Sequence, residues 1–304
     1  MPAKQRGDDP LVHLFDGHVY IFRAYHSLPP MTAADGTPCN AAYGFANTLI
    51  RYAADTDPSH AAVCFDAAMT SFRNAIEPGY KAQRGEPPDD LEPQFDLCRE
   101  VAEALGFAAF EVDDYEADDL IGALCERIVA DLGRARVLTS DKDLCQLVRE
   151  DARVVVHDLA KERTFDAAGV RQKFGVDPTR IPDYLGLVGD VIDNLPGVPG
   201  IGAKSAAAIL RVFESIEAIP KDPASPGWER VEARGVARLA EKVEAHRARA
   251  LATKSLATVL REVPGFTPGL ADLAYHGADR ERVDVLFDRL GWNRIRDRVG
   301  RWRA

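Results

Sequence analysis

Short apolar runs recur along the first half of the chain, and between them apolar residues lie three or four positions apart. The short runs predict four β-strands, at residues 11–15, 61–65, 135–139 and 154–157. The longer segments predict helices at residues 41–53, 91–105, 118–132 and 144–148. Strands that alternate with helices are typical of an α/β fold, in which helices flank a parallel sheet.

After about residue 158 the strand pattern fades and helical periodicity dominates. It predicts helices at residues 165–174, 181–187, 204–213, 235–256 and 280–290. The chain therefore divides into a disordered N-terminus (1–10), an α/β core (11–160) and a helical region (161–304). A polar insertion, residues 71–93, follows a strand end directly, and a loop of this length beside a sheet edge is usually functional. We expect it to arch over that edge.

Carboxylates cluster at the predicted ends of strands and starts of helices. The nine candidates are Asp16, Asp66, Glu116, Asp118, Asp119, Asp141, Asp143, Asp190 and Asp193. Taken singly, each is better explained as a helix cap or a solvated charge. Together at one sheet edge they would repel one another unless cations neutralised them, and oxygen ligands without His or Cys favour Mg²⁺ or Mn²⁺. Two such ions form a known apparatus for phosphodiester hydrolysis.

A glycine-rich turn follows the last two acids. Gly197, Gly200 and Gly202 let the backbone bend sharply and leave N–H groups open to an anion, while Lys204 and Ser205 lie in the first turn of the next predicted helix. The pattern favours phosphate binding, with simple closure of a helix–helix bend as the alternative.

Overall charge at first argues against a polyanionic ligand. The 304 residues carry 38 basic and 48 acidic side chains, a net charge of 38 − 48 = −10. Residues 229–262, however, contain eight Lys/Arg against five Asp/Glu, so a basic surface is expected locally. The five cysteines form no CxxC pair, and neither a signal peptide nor a membrane-spanning run is present, which predicts a cytoplasmic protein with reduced thiols.

Six ordered motifs extend these observations. They are Phe15-Asp16-Gly-His, Phe65-Asp66 with Ser71-Phe-Arg73, Tyr80-Lys81-Ala-Gln-Arg84, Tyr115-Glu116-Ala-Asp118-Asp119, Thr139-Ser-Asp141-Lys-Asp143, and residues 189–205. This order resembles the flap endonuclease superfamily, most closely bacterial 5′-3′ exonucleases similar to the N-terminal 5′-nuclease domain of DNA polymerase I. The resemblance implies a PIN-like core, a helical arch at 71–93 and a helix-hairpin-helix near 184–213 that holds K⁺. The length of the chain leaves no room for a polymerase, which suggests a free-standing nuclease.

The resemblance also implies residue roles. Asp16, Asp66, Glu116, Asp118 and Asp119 would serve a first metal, and Asp141, Asp143, Asp190 and Asp193 a second. Lys81 and Arg84 would stabilise charge on the reacting phosphate, with a solvated basic loop as the alternative. Tyr80 would stack on an unpaired base or pack in the core. Arg23 and Arg73 would hold DNA phosphates or pair with nearby acids.

The insertion departs from the family pattern. Asn74-Ala75 stands where His-Glu is common, and Gly85-Glu86 replaces a less acidic run. These differences bear on contacts of the arch rather than on metal chemistry.

The function implied is that of a monomeric, magnesium-dependent 5′-3′ exonuclease and flap endonuclease in DNA replication and repair. Its substrates would be DNA with 5′ flaps, nicks or free 5′ ends, with RNA primers also accepted. Two other classes stay open. One is a DNA-structure-binding protein without turnover, and the other is a magnesium phosphatase or PIN-type ribonuclease.

Overall fold

A six-stranded sheet forms the centre of the computed structural model, which describes residues 9–304. The strands are β1 (Leu11–Asp16), β2 (His60–Cys64), β3 (Ala108–Phe110), β4 (Arg134–Leu138), β5 (Val154–Asp158) and β6 (Arg163–Phe165). Their order is β3-β2-β1-β4-β5-β6, parallel except for β6, which is antiparallel to β5. The predicted α/β fold with a parallel sheet is confirmed, although β3 and β6 were not predicted. Residues 1–8 of the segment expected to be disordered lie outside the described residues.

Helices pack on both faces of the sheet. Those of the core are α1 (Gly17–Ser27), α2 (Asn40–Thr56), α3 (Phe72–Ile76), α4 (Glu92–Ala104) and α5 (Ala117–Ala130). The first of them was missed, because its Val, Tyr, Ile and Phe residues continue the β-type pattern of β1. The helix predicted at 144–148 is a 3₁₀ turn, Asp143–Leu147.

The second half of the chain is mainly helical, as expected. It contains α6 (Ala167–Phe174), α7 (Ile181–Val188), α8 (Ala203–Val212), α9 (Val236–Ala245), α10 (Arg247–Ala257), α11 (Arg280–Leu290) and α12 (Asn293–Arg296). A two-stranded hairpin, β7 (Gly189–Asp190) with β8 (Leu195–Pro196), joins α7 to the turn before α8. The single helix predicted at 235–256 is two helices that meet at His246. Within the part of the chain described, no helix has the length and apolar character to cross a membrane.

Two hydrophobic clusters fill the space on either side of the sheet. Side chains alternate along β1, so that Leu14 joins the first cluster and Phe15 the second. The first cluster combines the strands and α5 with α7, α8 and α10, and it reaches Phe266. The second combines α1, α2 and α4 with Val283 and Phe287 of α11. Each cluster therefore contains residues from both halves of the sequence.

The insertion contains little regular structure. It has the five-residue helix α3, a 3₁₀ turn at Ala82–Arg84, and a loop that leads into α4. Asn74, which departs from the family pattern, closes a capping box. Its Oδ1 accepts the Ser71 N–H at 2.9 Å, and its Nδ2 donates to the Tyr80 carbonyl at 2.8 Å. This residue therefore folds the insertion locally.

Candidate active site

Three acids lie at the carboxyl ends of three neighbouring strands. Asp16 ends β1, Asp66 follows β2, and Asp141 follows β4, and these strands are adjacent in the order β2-β1-β4. The Thr139 hydroxyl donates to Asp16 at 2.8 Å and accepts the Asp141 N–H at 2.9 Å, which ties two of these ends together. Parallel sheets bind ligands at this edge.

The N-terminus of α5 adds two acids to the same edge. Glu116 is the N-cap and accepts hydrogen bonds from the Ser71 hydroxyl at 2.6 Å and from the Tyr80 hydroxyl at 3.3 Å. Asp118 follows in the first turn, where the helix dipole favours negative charge. The Ala117 N–H donates to Asp66 at 2.7 Å, so β2 and α5 are fixed to each other at the site.

The carboxylates lie close enough for their charges to raise one another's pKa values. Burial, followed by the charges of Asp66 and Asp141, raises the pKa of Asp16 to about 7, against a lowering by the Thr139 hydrogen bond. Burial and then the Asp141 charge raise the pKa of Asp143 to about 8. Burial and the charges of Asp16 and Asp141 raise the pKa of Asp118 well above its ordinary value. A cation placed among these groups would remove this repulsion.

Basic side chains supply positive charge at the site. Lys81 contacts Glu116, Lys142 contacts Asp190, and Arg84 contacts Asp193. Burial lowers the pKa of Lys81, but Glu116 and the other acids around it outweigh that effect and raise it. The insertion thus lies over the carboxylates, held by side chains that were predicted to contact phosphate.

The donor set fits a hard divalent cation in its chemistry. All candidate ligands are carboxylate oxygens, and the buried Asp143 Oδ1 has no hydrogen-bond partner. As the side chains stand, no group of three or more Asp, Glu, His or Cys residues between 9 and 304 encloses one ion position.

Asp119 and Arg73 form a buried ion pair, which is the alternative given for Arg73. Asp119 is fully buried, and Arg73, 3% exposed, binds it through two hydrogen bonds of 2.7 and 2.8 Å. Arg73 also donates to the carbonyls of Leu256 and Thr258. Asp119 is thus held by Arg73 beside Glu116, and both side chains of the pair are buried. The pair is a structural link between the insertion, α5 and the end of α10.

The ring of Tyr80 packs in the core, which is the alternative given for it beside stacking on a base. It is 3% exposed and belongs to the first hydrophobic cluster. Its hydroxyl lies 3.4 Å from Asp193 as well as near Glu116, and it therefore helps to position the two acids. Arg23 is exposed on α1 and has no ion-pair partner within residues 9–304, so its phosphate contact stays a prediction.

The three glycines of the hairpin have different structural environments. A Cβ on Gly197 would lie 2.3 Å from the Val188 carbonyl carbon, so this glycine permits close packing of the hairpin, and its contact with DNA stays a prediction. Gly200 has a φ of +77°. Gly202 caps α8 with open space around it. Gly202 therefore presents the first amides of α8, together with Lys204, to solvent.

Three basic residues near the candidate site and the hairpin were not identified from the sequence. Lys142 lies between Asp141 and Asp143, and this spacing could have identified it. Lys242 of α9 directs its ammonium at Gly200, where an added Cβ would lie 2.3 Å from Nζ. Arg238, four residues earlier, lies on the same face of α9. For Arg238 and Lys242, the basic composition of residues 229–262 was the signal in the sequence.

Comparisons with known proteins agree with this arrangement. Residues 11–175 match the family model described as 5′-3′ exonuclease, N-terminal resolvase-like domain, and residues 176–281 match 5′-3′ exonuclease, C-terminal SAM fold. The 5′-3′ exonuclease of Aquifex aeolicus is 37% identical over 221 residues, which cover 73% of this chain and 74% of that protein. DNA polymerase I of Bacillus subtilis is 35% identical over 289 residues, 94% of this chain but 32% of the polymerase. The chain thus spans about a third of the polymerase relatives it matches.

Solved structures share the fold. T5 5′-exonuclease with bound divalent zinc ions superposes with a TM-score of 0.65 at 19% identity, covering 92% of this chain and 98% of that one. The catalytic core of Rad2 in complex with DNA substrate has a TM-score of 0.60 at 14% identity, covering 96% and 91%.

Proposed function

The chain belongs to the 5′-3′ exonuclease family, and on that premise we propose that it hydrolyses DNA phosphodiesters as a structure-specific 5′-3′ exonuclease and 5′-flap endonuclease. The observation that carries this proposal is that Asp16, Asp66 and Asp141 converge at the carboxyl ends of β1, β2 and β4, where the charges of Asp66 and Asp141 help to raise the pKa of Asp16. A protein that only binds DNA would gain nothing from such negative charge beside phosphate.

We assign eight carboxylates to two metal positions. Asp16, Asp66, Glu116 and Asp118 would hold one ion, and Asp141, Asp143, Asp190 and Asp193 the other; Asp119 is left out because Arg73 occupies it. When bound, two Mg²⁺ ions, with Mn²⁺ as a substitute, would supply an activated water and neutralise charge at the reacting phosphate.

The chain's own cationic groups then act on the phosphate. Lys81 and Arg84 already lie beside Glu116 and Asp193, so a phosphate held at these acids comes within their reach. There they neutralise charge that develops on its oxygens. Gly202 and the first amides of α8 hold a phosphate of the duplex further along the strand.

The proposal also includes the form of the DNA substrate, a K⁺ site, the oligomeric state and the cellular role. The DNA substrates carry 5′ flaps, nicks or free 5′ ends, and RNA primers paired with DNA are accepted. A K⁺ ion binds at the hairpin, and the protein works as a monomer in the cytoplasm during replication and repair. The DNA polymerase I relatives support a role in DNA processing.

The test is cleavage of a 5′-labelled 5′-flap duplex and of a matched 3′-flap duplex, in Mg²⁺ or in EDTA. Wild type should cut the 5′ flap only, and only with Mg²⁺. Asp141→Asn should lower the rate at least about 100-fold while DNA binding persists. Asp113→Asn, an exposed acid just before α5, is the matched control and should cut normally.

Binding of the 5′ flap without cleavage under Mg²⁺ or Mn²⁺ would replace the nuclease with a structure-binding protein. Release of inorganic phosphate from small esters would favour a phosphatase, and preference for single-stranded RNA a PIN-type ribonuclease.

A further inference from the structure

The turn between Asp190 and Asp193 points two aliphatic side chains into solvent. Val191 is 87% exposed and Ile192 is 66% exposed. Of the six exposed large hydrophobic residues within 9–304, these two and also Met69 and Ile76 lie in the segments that surround the carboxylates. Exposed apolar groups concentrated at a site indicate a contact with a ligand.

The turn is held firmly in place. The Ile192 N–H donates to Asp190 Oδ1 at 2.8 Å, and the Asp193 carbonyl accepts the Lys81 N–H at 3.0 Å. Asn194 donates to the Gly79 carbonyl at 2.7 Å, which joins the turn to the insertion on its other side. Val191 and Ile192 thus form a fixed apolar tip rather than a loop that can fold back to bury them.

The position of the tip limits what can contact it. Both residues lie within two positions of acids that face the reacting phosphate, so the nearest part of a bound strand is the nucleotide at that phosphate. A two-residue tip flanked by Asp190 and Asp193 is far smaller than a protein interface. Phosphate and its cations contact the acids, and the apolar faces of the bases are left for the aliphatic groups.

We propose that Val191 and Ile192 form a wedge that packs against the nucleobase next to the scissile phosphate and holds it out of the duplex stack. Aliphatic side chains inserted at a base step unstack it in this way elsewhere. The inference rests on the proposed nuclease function and names two side chains that would position the substrate for cleavage.

Unstacking can be measured without cleavage. A duplex with 2-aminopurine at its 5′-terminal position is bound in Ca²⁺, with a gel to verify that it stays intact, and binding is followed separately by anisotropy. At saturation wild type should raise the 2-aminopurine fluorescence at least about threefold, because the base leaves the stack. Val191→Ser/Ile192→Ser should give less than half of that rise.

Cleavage in Mg²⁺ supplies the second readout. The double variant should lower kcat about tenfold on a matched duplex end, and by less than about twofold on an end whose terminal pair is mismatched. Val285→Ser removes an exposed aliphatic side chain from α11, 68% exposed, and should match wild type in both measurements.

Equal losses on matched and mismatched ends, or a fluorescence rise equal to that of wild type, would overturn the wedge. Wild-type protein that cuts neither end would instead refute the nuclease itself, so the two failures are distinguishable.

Discussion

Replacing Asp119 should destabilise the fold, although sequence reasoning placed it among the metal ligands. Asp119 is fully buried and Arg73 is 3% exposed, and the two share hydrogen bonds of 2.7 and 2.8 Å. In Asp119→Asn the guanidinium stays charged and buried, and it keeps only its longer contact with the Glu116 carboxylate, at 3.5 Å. Breaking a buried ion pair in this way costs about 3 to 5 kcal/mol.

The other contacts of Asp119 support the size of this loss. It also accepts the Leu260 N–H at 2.9 Å and the Glu116 N–H at 3.3 Å. Asparagine keeps one acceptor oxygen, so about 3 kcal/mol is the expected minimum. For a chain of this length that corresponds to a fall in Tm of about 6 °C.

The matched comparison is Asp141→Asn, the same chemical change in an acid assigned to the metal site. Asp141 has no ion pair within the described chain, and burial and the Asp193 charge raise its pKa. Removing its charge should therefore leave Tm in EDTA unchanged or higher. Thermal unfolding followed by far-UV circular dichroism measures both variants.

A third variant tests whether loss of the buried ion pair causes the fall in stability. Arg73→Met/Asp119→Leu replaces the pair with apolar side chains and should recover part of the stability lost in Asp119→Asn. The reasoning is refuted if Asp119→Asn melts within about 1 °C of wild type, or if Asp141→Asn loses as much as Asp119→Asn.

Three further outcomes follow from the site and the hairpin. Because the folded-state pKa values of Asp16 and Asp143 (about 7 and about 8) lie above the ordinary 3.8, protonation stabilises the fold. The free energy of unfolding in EDTA should fall as pH rises from about 4 to about 7 for Asp16 and to about 8 for Asp143, by up to about 1.4 kcal/mol per pH unit for each group, and Mg²⁺ should flatten the slope; a flat profile of Tm against pH in EDTA contradicts this. Lys242→Gln should weaken 5′-flap binding and reduce the slope of log K against log salt by about 0.9, whereas an unchanged slope would remove Lys242 from the phosphate contacts. Gly197→Ala should cost about 2 kcal/mol or more in thermal unfolding because its Cβ meets backbone at 2.3 Å, while Gly202→Ala, with nothing within 4 Å, should melt near wild type; equal Tm values would contradict the packing argument.

The elements with strong local signals were predictable. Buried parallel strands are continuous apolar runs, and an acid directly after such a run marks the sheet edge, which is why Asp16 and Asp66 could be placed from the sequence. The three-residue β3 has too few positions for any periodicity, and α1 contains the residue types of a strand.

The roles of neighbouring residues were not predictable. Asp118 and Asp119 are adjacent on α5, so their side chains point about 100° apart, one toward the other acids and one toward the core. Which of them faces the core depends on Arg73 and on the end of α10, more than 130 residues further along the chain. Tyr80 presents the same problem, since only the packed structure shows that its ring is buried.

The shared hydrophobic clusters have a consequence for how such chains can be recombined. The two family matches meet between residues 175 and 176, yet Leu14 and Leu124 pack in the same cluster as Leu185 and Ile209. A chimera joined at that border would bring together two halves of a core shaped for other partners, and a loosely packed core is costly. The two segments are therefore expected to be inherited and exchanged as one piece, even though sequence models divide them.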